Sequence, residues 1–168
     1  PVAINRQADS DSELIELWLN GRTIHTQLAY RNDVARFFAF VGKPLAQVTL
    51  RKFQAFTETL TGAVASKRRI IAALKSLFTF ASKIGYLVFN VAAAVRAPKS
   101  PDTLAERILT ESQVQRIIAL ASSRRDQMLL RLLYASGVRV SELCGLKWRN
   151  CQPNGESGQI TVLGKGGK

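Results

Sequence analysis

The stretch "SKRRIIAALKSLFTFASKIG", from Ser66 to Gly85, places apolar residues at Ile70, Leu74, Leu77, Ala81 and Ile84, spaced four, three, four and three. Only a helix of 3.6 residues per turn gathers that spacing onto one face, so the segment is an amphipathic helix whose seam needs partners. The sequence before it supplies three. Ser10 to Glu13 reads as a capping box opening a helix through "ELIELWLNG", which Gly21 ends. In "TIHTQLAYRNDVARFFAFVG" Ile24, Leu28, Val34, Phe38 and Val41 recur at helical spacing up to Gly42, and "LRKFQAFTETL" is a third helix closed by Gly62. Helices joined by such short connections predict a four-helix bundle.

The pattern breaks after Val95. "VRAPKSPDTLAER" carries two prolines, alternating charge and little apolar content, which reads as a linker. The expected division is therefore a helical domain over 1–95, a linker over 96–108 and a second unit over 109–168. Thr110 to Gln113 forms another capping box leading into "VQRIIALA", "RRDQMLLRLLYASG" is a further apolar helix, and a helix containing "RVSELCGL" follows. The tail changes character: Pro153, Asn154 and Gly155 predict a turn, "QITVLG" a strand, and "GKGGK" a second turn whose return strand lies past Lys168. The fold class is mainly α, a helical domain followed by the beginning of an α+β domain.

At 46% hydrophobic residues, a chain of 168 has enough apolar material for a core. Lys and Arg number 24 against 12 Asp and Glu, a net charge of +12 that favours a polyanionic partner, nucleic acid or an acidic membrane surface. No apolar run reaches the roughly 18 residues of a membrane span, and "PVAINRQADSDSE" lacks a signal-peptide layout, so a cytoplasmic protein is expected. Two cysteines, Cys144 and Cys151, are too few for a disulfide framework or a zinc site; both are expected reduced, with Cys144 in a packing role.

The charge is not spread evenly. Between Thr59 and Pro101 there is no acidic residue, while Lys67, Arg68, Arg69, Lys75, Lys83, Arg96 and Lys99 are all basic. On the fourth helix Arg68, Ala72, Lys75 and Thr79 share a stripe opposite the apolar seam, where small and hydroxyl residues between cations permit close approach to a nucleic-acid groove. A merely solvated face is the plainer reading, but such faces normally mix signs to gain (i, i+4) pairs, and this one does not. The second helix offers a weaker stripe of Thr23, Thr26, Tyr30 and Asp33. The candidate nucleic-acid contacts are Thr26, Lys67, Arg68, Arg69, Lys75 and Thr79.

Arg139 is a second candidate. A guanidinium cannot be neutralised, so one set among Val138, Val140 and Leu143 must reach solvent or meet an anion, and its planar fork suits phosphate. Glu142 lies one helical turn on and is placed to hold it in one rotamer. An ion pair that merely satisfies itself fits the same spacing. Lys165 stands between Gly164 and Gly166, where a flexible backbone could bring an ammonium into a site assembled elsewhere.

These residues resemble a family. "YASGVRVSELCGLKW", a strand and then "GKGGK" are similar to the first half of the catalytic domain of the tyrosine recombinases, the phage integrase and Xer-type enzymes. "TQLAYRNDVARFFAF", "SKRRIIAALKSLFTFASKIGYLVFNVAAAVRAPK" and "RILTESQV" resemble that family's SAM-like core-binding domain, linker and catalytic-domain entry. The resemblance implies a site-specific recombinase in which a tyrosine attacks a phosphodiester of duplex DNA to give a 3'-phosphotyrosyl link, with no metal or other cofactor. It implies that Arg139 is the first catalytic arginine, Glu142 the acidic residue supporting it and Lys165 the hairpin lysine, and that the full-length protein works as a homo-oligomer, a tetramer on DNA. The family's histidine-x-x-arginine motif, further histidine or tryptophan, and nucleophilic tyrosine have no counterpart up to Lys168: His25 is the only histidine, and Tyr30, Tyr86 and Tyr134 match no nucleophile motif. The chain is therefore expected to be an inactive N-terminal fragment. Readings of other classes are a non-catalytic DNA-binding accessory module and a basic helical RNA-binding protein.

Overall fold

The computed structural model describes residues 7–99, 108–155 and 157–162, and the chain divides into two units, Pro1–Pro101 and Asp102–Lys168. In the first unit, hydroxyl residues start three of the helices by accepting an orphan amide. Ser10 caps α1 (Asp11–Leu19), Thr23 caps α2 (Ile24–Val41) and Thr49 caps α3 (Leu50–Thr59). The fourth helix, α4 (Val64–Lys83), begins after Ala63 without a side-chain cap, two residues ahead of the expected Ser66. Asp11 ties the start of α1 to the rest: its carboxylate accepts from the Leu45 amide at 2.9 Å and from the Tyr86 hydroxyl at 2.8 Å.

The core is aromatic. Phe37, Phe53, Phe56 and Phe78 are among the fully buried side chains, and the Phe37 ring lies 5.2 Å, 5.0 Å and 6.0 Å from those of Phe53, Phe56 and Phe78. Each such burial contributes about 1.5–3 kcal/mol. On α4 the seam residues Ile70, Leu74, Leu77 and Ala81 are buried, joined by Ile71, Ala73 and Phe78, while Ile84 packs half-buried against the core.

On α2 the buried face differs from the expected one. Val34 and Val41 are inside, but Phe37 rather than Phe38 fills the centre, and Ile24 and Leu28 are exposed. The true seam runs through Tyr30, Asp33, Val34, Phe37 and Val41. Two members of the expected polar stripe are thus turned inward: Tyr30 stacks on Trp18 at 5.0 Å, and Asp33 is buried. What admits the carboxylate is Arg69 of α4, whose Nη1 and Nη2 donate to its two oxygens at 2.5 and 2.8 Å. The same bonds raise the Arg69 guanidinium above its ordinary pKa.

In the second unit, Thr110 opens α5 (Glu111–Leu120) with both bonds of a capping box: its hydroxyl accepts from the Gln113 amide, and its amide donates to the Gln113 side chain at 2.8 Å. Ser123 caps α6 (Arg124–Ser136), which Gly137 terminates at a φ of 64°, a left-handed conformation that favours glycine. Next come α7 (Val140–Cys144) and an antiparallel hairpin of β1 (Cys151–Asn154) and β2 (Ser157–Ile160), with Cys151 opposite Ile160 and Asn154 opposite Ser157. Pro153 and Asn154 therefore belong to a strand rather than to the expected turn, which moves to Gly155, and the second strand starts at Ser157 instead of Gln159. Proline is tolerated there because a two-stranded ladder leaves an edge on each strand. Cys144 is exposed rather than packed as expected, and Cys151 is exposed too. Among the described residues of this unit Ile118 is buried, whereas Ile117, Leu120, Met128, Tyr134, Val140 and Trp148 are exposed. No helix among the described residues is long and apolar enough to cross a membrane.

Arg69→Ala would leave the Asp33 carboxylate buried without a partner. Because the arginine is itself about half exposed, the loss is expected at about 2–3 kcal/mol, below that for a fully buried pair. Asp33→Ala combined with Arg69→Ala should recover part of it. Urea denaturation of the single and double variants measures both; additive losses would mean the two side chains are not coupled.

Candidate functional site

Each unit carries one candidate site, and the first lies on α4. Arg68, Ala72 and Thr79 are exposed and Lys75 half-buried, so the expected stripe does face away from the core. Its members are not equivalent. Lys75 donates from Nζ to the Val95 carbonyl at 2.6 Å and the Ala93 carbonyl at 3.4 Å, satisfying backbone groups at the end of the short helical turn Val91–Ala94. Thr79 accepts from the Asn90 side-chain Nδ2 at 3.2 Å, and Arg69 is committed to Asp33. Lys67 is half-buried and Arg68 exposed, and among the described residues neither has an ion-pair partner. On α2, Thr26 bonds its hydroxyl to that of the capping Thr23 at 2.9 Å. Of the six candidates, Lys67 and Arg68 keep uncommitted cationic heads, Lys75 keeps a charge already anchored to backbone, and Arg69 serves packing.

One cation near this stripe escapes a reading of the sequence. Arg22, in the connection between α1 and α2, donates from Nε to the Trp18 carbonyl at 3.1 Å, and its Cζ lies 5.1 Å from the ring centroids of both Trp18 and Tyr30. Gly21 makes this possible, since its φ of 74° reverses the chain at the end of α1. The (i, i+4) spacing of Trp18 and Arg22 is the available signal, and it is weak because loop residues rarely keep helical spacing.

The second site is built by α7. Arg139 stands in extended backbone at its N-cap, with φ −73° and ψ 152°. Glu142, three residues on, accepts from the Arg139 amide through Oε2 at 2.8 Å and from the Arg139 Nη1 through Oε1 at 2.7 Å. One carboxylate thus fixes both the backbone and the side chain of one arginine. The two ends differ in environment, for the Arg139 side chain is 72% exposed and that of Glu142 11%. A guanidinium has five N–H donors, and a single one is spent on Glu142, so the fork keeps capacity for an anion. The amide bond first and the guanidinium second hold the Glu142 carboxyl below the usual carboxylate range. Lys165 lies outside the described residues.

Comparison with known proteins covers both units. The phage integrase family matches residues 107–168, and the phage integrase N-terminal SAM-like domain matches residues 14–85. Tyrosine recombinase XerC of Xanthomonas campestris pv. campestris (strain B100) is 36% identical over 155 residues, covering 86% of this chain and 47% of its own length. Tyrosine recombinase XerC of Mycobacterium tuberculosis (strain ATCC 25177 / H37Ra) is 34% identical over 163 residues, covering 88% and 54%. Among solved structures, a lambda integrase dimer bound to a COC' core site matches with a TM-score of 0.72 at 24% identity, over 94% of this chain and 45% of that one. The integrase of mycobacterium phage Brujita matches at 0.52 and 19%, over 92% and 55%. These two structures show the fold: a helical core-binding domain followed by the start of an α+β domain. The chain spans about half the length of the curated relatives it matches.

The anchor on Arg139 carries a pH signature. A depressed folded-state pKa means that the stabilisation from Glu142 is complete above the unfolded carboxyl value of about 4.3 and is lost as pH falls through the lower folded value. The Arg139 backbone amide, which donates to the Glu142 carboxylate, should resonate downfield at neutral pH and move upfield as that carboxylate is protonated below its ordinary range. Glu142→Gln should show less of this change, and an acid titration that leaves the wild-type resonance untouched would remove Glu142 as the anchor.

Proposed function

This chain belongs to the phage integrase family, the tyrosine recombinases, and we propose that it forms the N-terminal half of a site-specific recombinase that breaks and rejoins duplex DNA through a 3'-phosphotyrosyl intermediate. The observation that carries the reading is the Arg139–Glu142 arrangement within the family's motif: a guanidinium anchored at its backbone and at one terminal nitrogen, yet presented outward.

The chemistry asked of it is in-line displacement at phosphorus. A tyrosine hydroxyl, from a segment this chain does not contain, releases its proton to water as its oxygen attacks the scissile phosphate; a new phosphotyrosyl ester forms at the 3' side and the bond to the 5' oxygen breaks. Charge on the non-bridging oxygens rises in the transition state, and Arg139 stabilises it from a fixed position, which costs no reorganisation when the reaction occurs. The departing 5' oxygen needs a proton, and Lys165 supplies it. No metal or external energy source is consumed, because the phosphotyrosyl ester retains the energy of the bond it replaced.

In the first unit, the one-signed outer face of α4 contacts the duplex: Arg68 and Lys67 reach phosphates, and the exposed Ala72 and Thr79 permit close approach to a groove. Arg69 supports that face from inside through Asp33. Uncovered apolar residues on α5 and α6 are the surface that the remaining half of a catalytic domain would cover. The whole enzyme acts in the cytoplasm as a tetramer on DNA, and this chain by itself binds DNA without cutting it.

Two measurements test the reading. Replacing Lys67 and Arg68 by alanine should weaken duplex binding and lower the slope of log K against log salt by about one for every phosphate no longer neutralised; an unchanged slope takes these α4 cations out of the interface. In the full-length protein, Arg139→Ala should cost on the order of 3 kcal/mol in cleavage. Lys165→Ala should slow cleavage about a hundred-fold or more. That variant should recover most of its rate on DNA carrying sulphur at the bridging 5' position, whose departure needs no proton, while Arg139→Ala should not. Equal impairment of Lys165→Ala on both substrates would assign the lysine to DNA positioning instead.

A further inference from the structure

Between the end of α1 and the C-terminal half of α4 runs an open groove of about 740 Å³, lined by Arg22, Ala72, Lys75, Ser76, Thr79 and Lys83 along with apolar and amide side chains. Among the described residues no acid lines it. Of the carboxylates on α1, Glu16 is paired with Arg31 at 2.7 Å, Asp11 accepts from the Leu45 amide and the Tyr86 hydroxyl, and Glu13 accepts from the Asp9 amide at 2.8 Å; α4 carries none. We propose that this groove seats the sugar–phosphate backbone of duplex DNA, with Arg22 as its pre-set phosphate contact. The proposal rests on the duplex-DNA reading above and extends it to a strip of surface and to residues outside the α4 stripe.

Preorganisation is the first reason. Arg22 spends Nε on the Trp18 carbonyl and rests against the Trp18 and Tyr30 rings, so the side chain is held while both terminal nitrogens remain for a ligand. The rings are themselves fixed. Trp18 is buried and donates from Nε1 to Ser76 at 3.2 Å, locking this platform to the wall of the groove opposite. The aromatic pair thereby does for Arg22 what Glu142 does for Arg139, without adding a negative charge that would compete with phosphate.

Shape is the second reason. Lys75 and Lys83 lie eight positions apart on α4, about 12 Å along its axis. A single small anion would be met by convergent cations; a row of them matches charges repeated along a strand. Ala72 and Ser76 leave the floor low between the cations, and Ser76 and Thr79 place hydroxyls where phosphate oxygens would pass.

The test is duplex binding by the protein titrated against salt, on a mixed-sequence duplex, for wild type, Arg22→Ala, Arg22→Lys and Lys83→Ala. Lys52→Ala, which removes a charge from α3, is the comparator. Arg22→Ala should weaken binding about tenfold or more and lower the salt slope by about one. Lys83→Ala should lower the slope similarly, and Arg22→Lys, which keeps the charge and loses the planar fork, should fall between wild type and Arg22→Ala. Should Arg22→Ala fail to fold by circular dichroism, Arg22→Lys and Lys83→Ala carry the decision. Wild-type binding with slopes unchanged in these variants, or reduced no more than in Lys52→Ala, overturns the groove and leaves the duplex-DNA reading standing. Absence of duplex binding by the wild type overturns both.

Discussion

Asp33 is a carboxylate held almost out of water beside the Phe37 ring cluster, and it can sit there only because Arg69 crosses from α4 with two bonds. Desolvating an isolated carboxylate would cost several kcal/mol, so no rotation of α2 that buried Asp33 without Arg69 would be populated. The pair therefore fixes the phase of α2 relative to α4. That phase in turn decides which residues each helix shows to solvent: Ile24 and Leu28 on one, Arg68, Ala72 and Thr79 on the other. A charge pair that adds little net stability compared with an apolar substitute can still select one packing arrangement among several, and here the selected arrangement composes the outer face.

This explains what the sequence disclosed and what it concealed. The α4 seam was legible because Ile70, Leu74, Leu77 and Ala81 are apolar at every expected turn, and periodicity needs no knowledge of partners. On α2 apolar periodicity and burial part company. Ile24 and Leu28 are apolar yet exposed, while Asp33 and Tyr30 are polar yet turned inward, because their burial depends on Arg69 and Trp18, distant in sequence. Any pattern read within one helix assigns such residues to the wrong side. Arg139 and Glu142 were easier, since an N-cap and its N3 residue are local and their bond follows from the spacing. The hairpin differs because Pro153 has turn-former chemistry, yet an edge strand accommodates it without losing a ladder bond.

A common device recurs on the two units. Arg139 is held by a carboxylate and Arg22 by a carbonyl and two rings, and in both cases the anchor uses few of the guanidinium's donors. Lys75 shows the alternative. Its ammonium is drawn to the Val95 carbonyl, where one charge both closes a helical turn and stays at the edge of the groove. Arginine suits the anchored role better because its fork has separate edges for the anchor and the ligand, whereas an ammonium offers one centre to both.

The asymmetry of the Arg139–Glu142 pair bears on what the pair is for. Two residues that only satisfied each other would gain most by sharing an environment, either both in water, where the bond is worth little, or both shielded, where it is strong but costly to desolvate. Here the acid is shielded and the base is presented, with 11% and 72% of their side chains exposed. Shielding the carboxylate strengthens its hold on the Arg139 amide and Nη1, and the exposed fork stays hydrated until an anion displaces that water. The arrangement thus concentrates its rigidity at the root of the arginine and leaves four of its five N–H donors at the tip, a geometry that suits the oxyanion contact proposed for it.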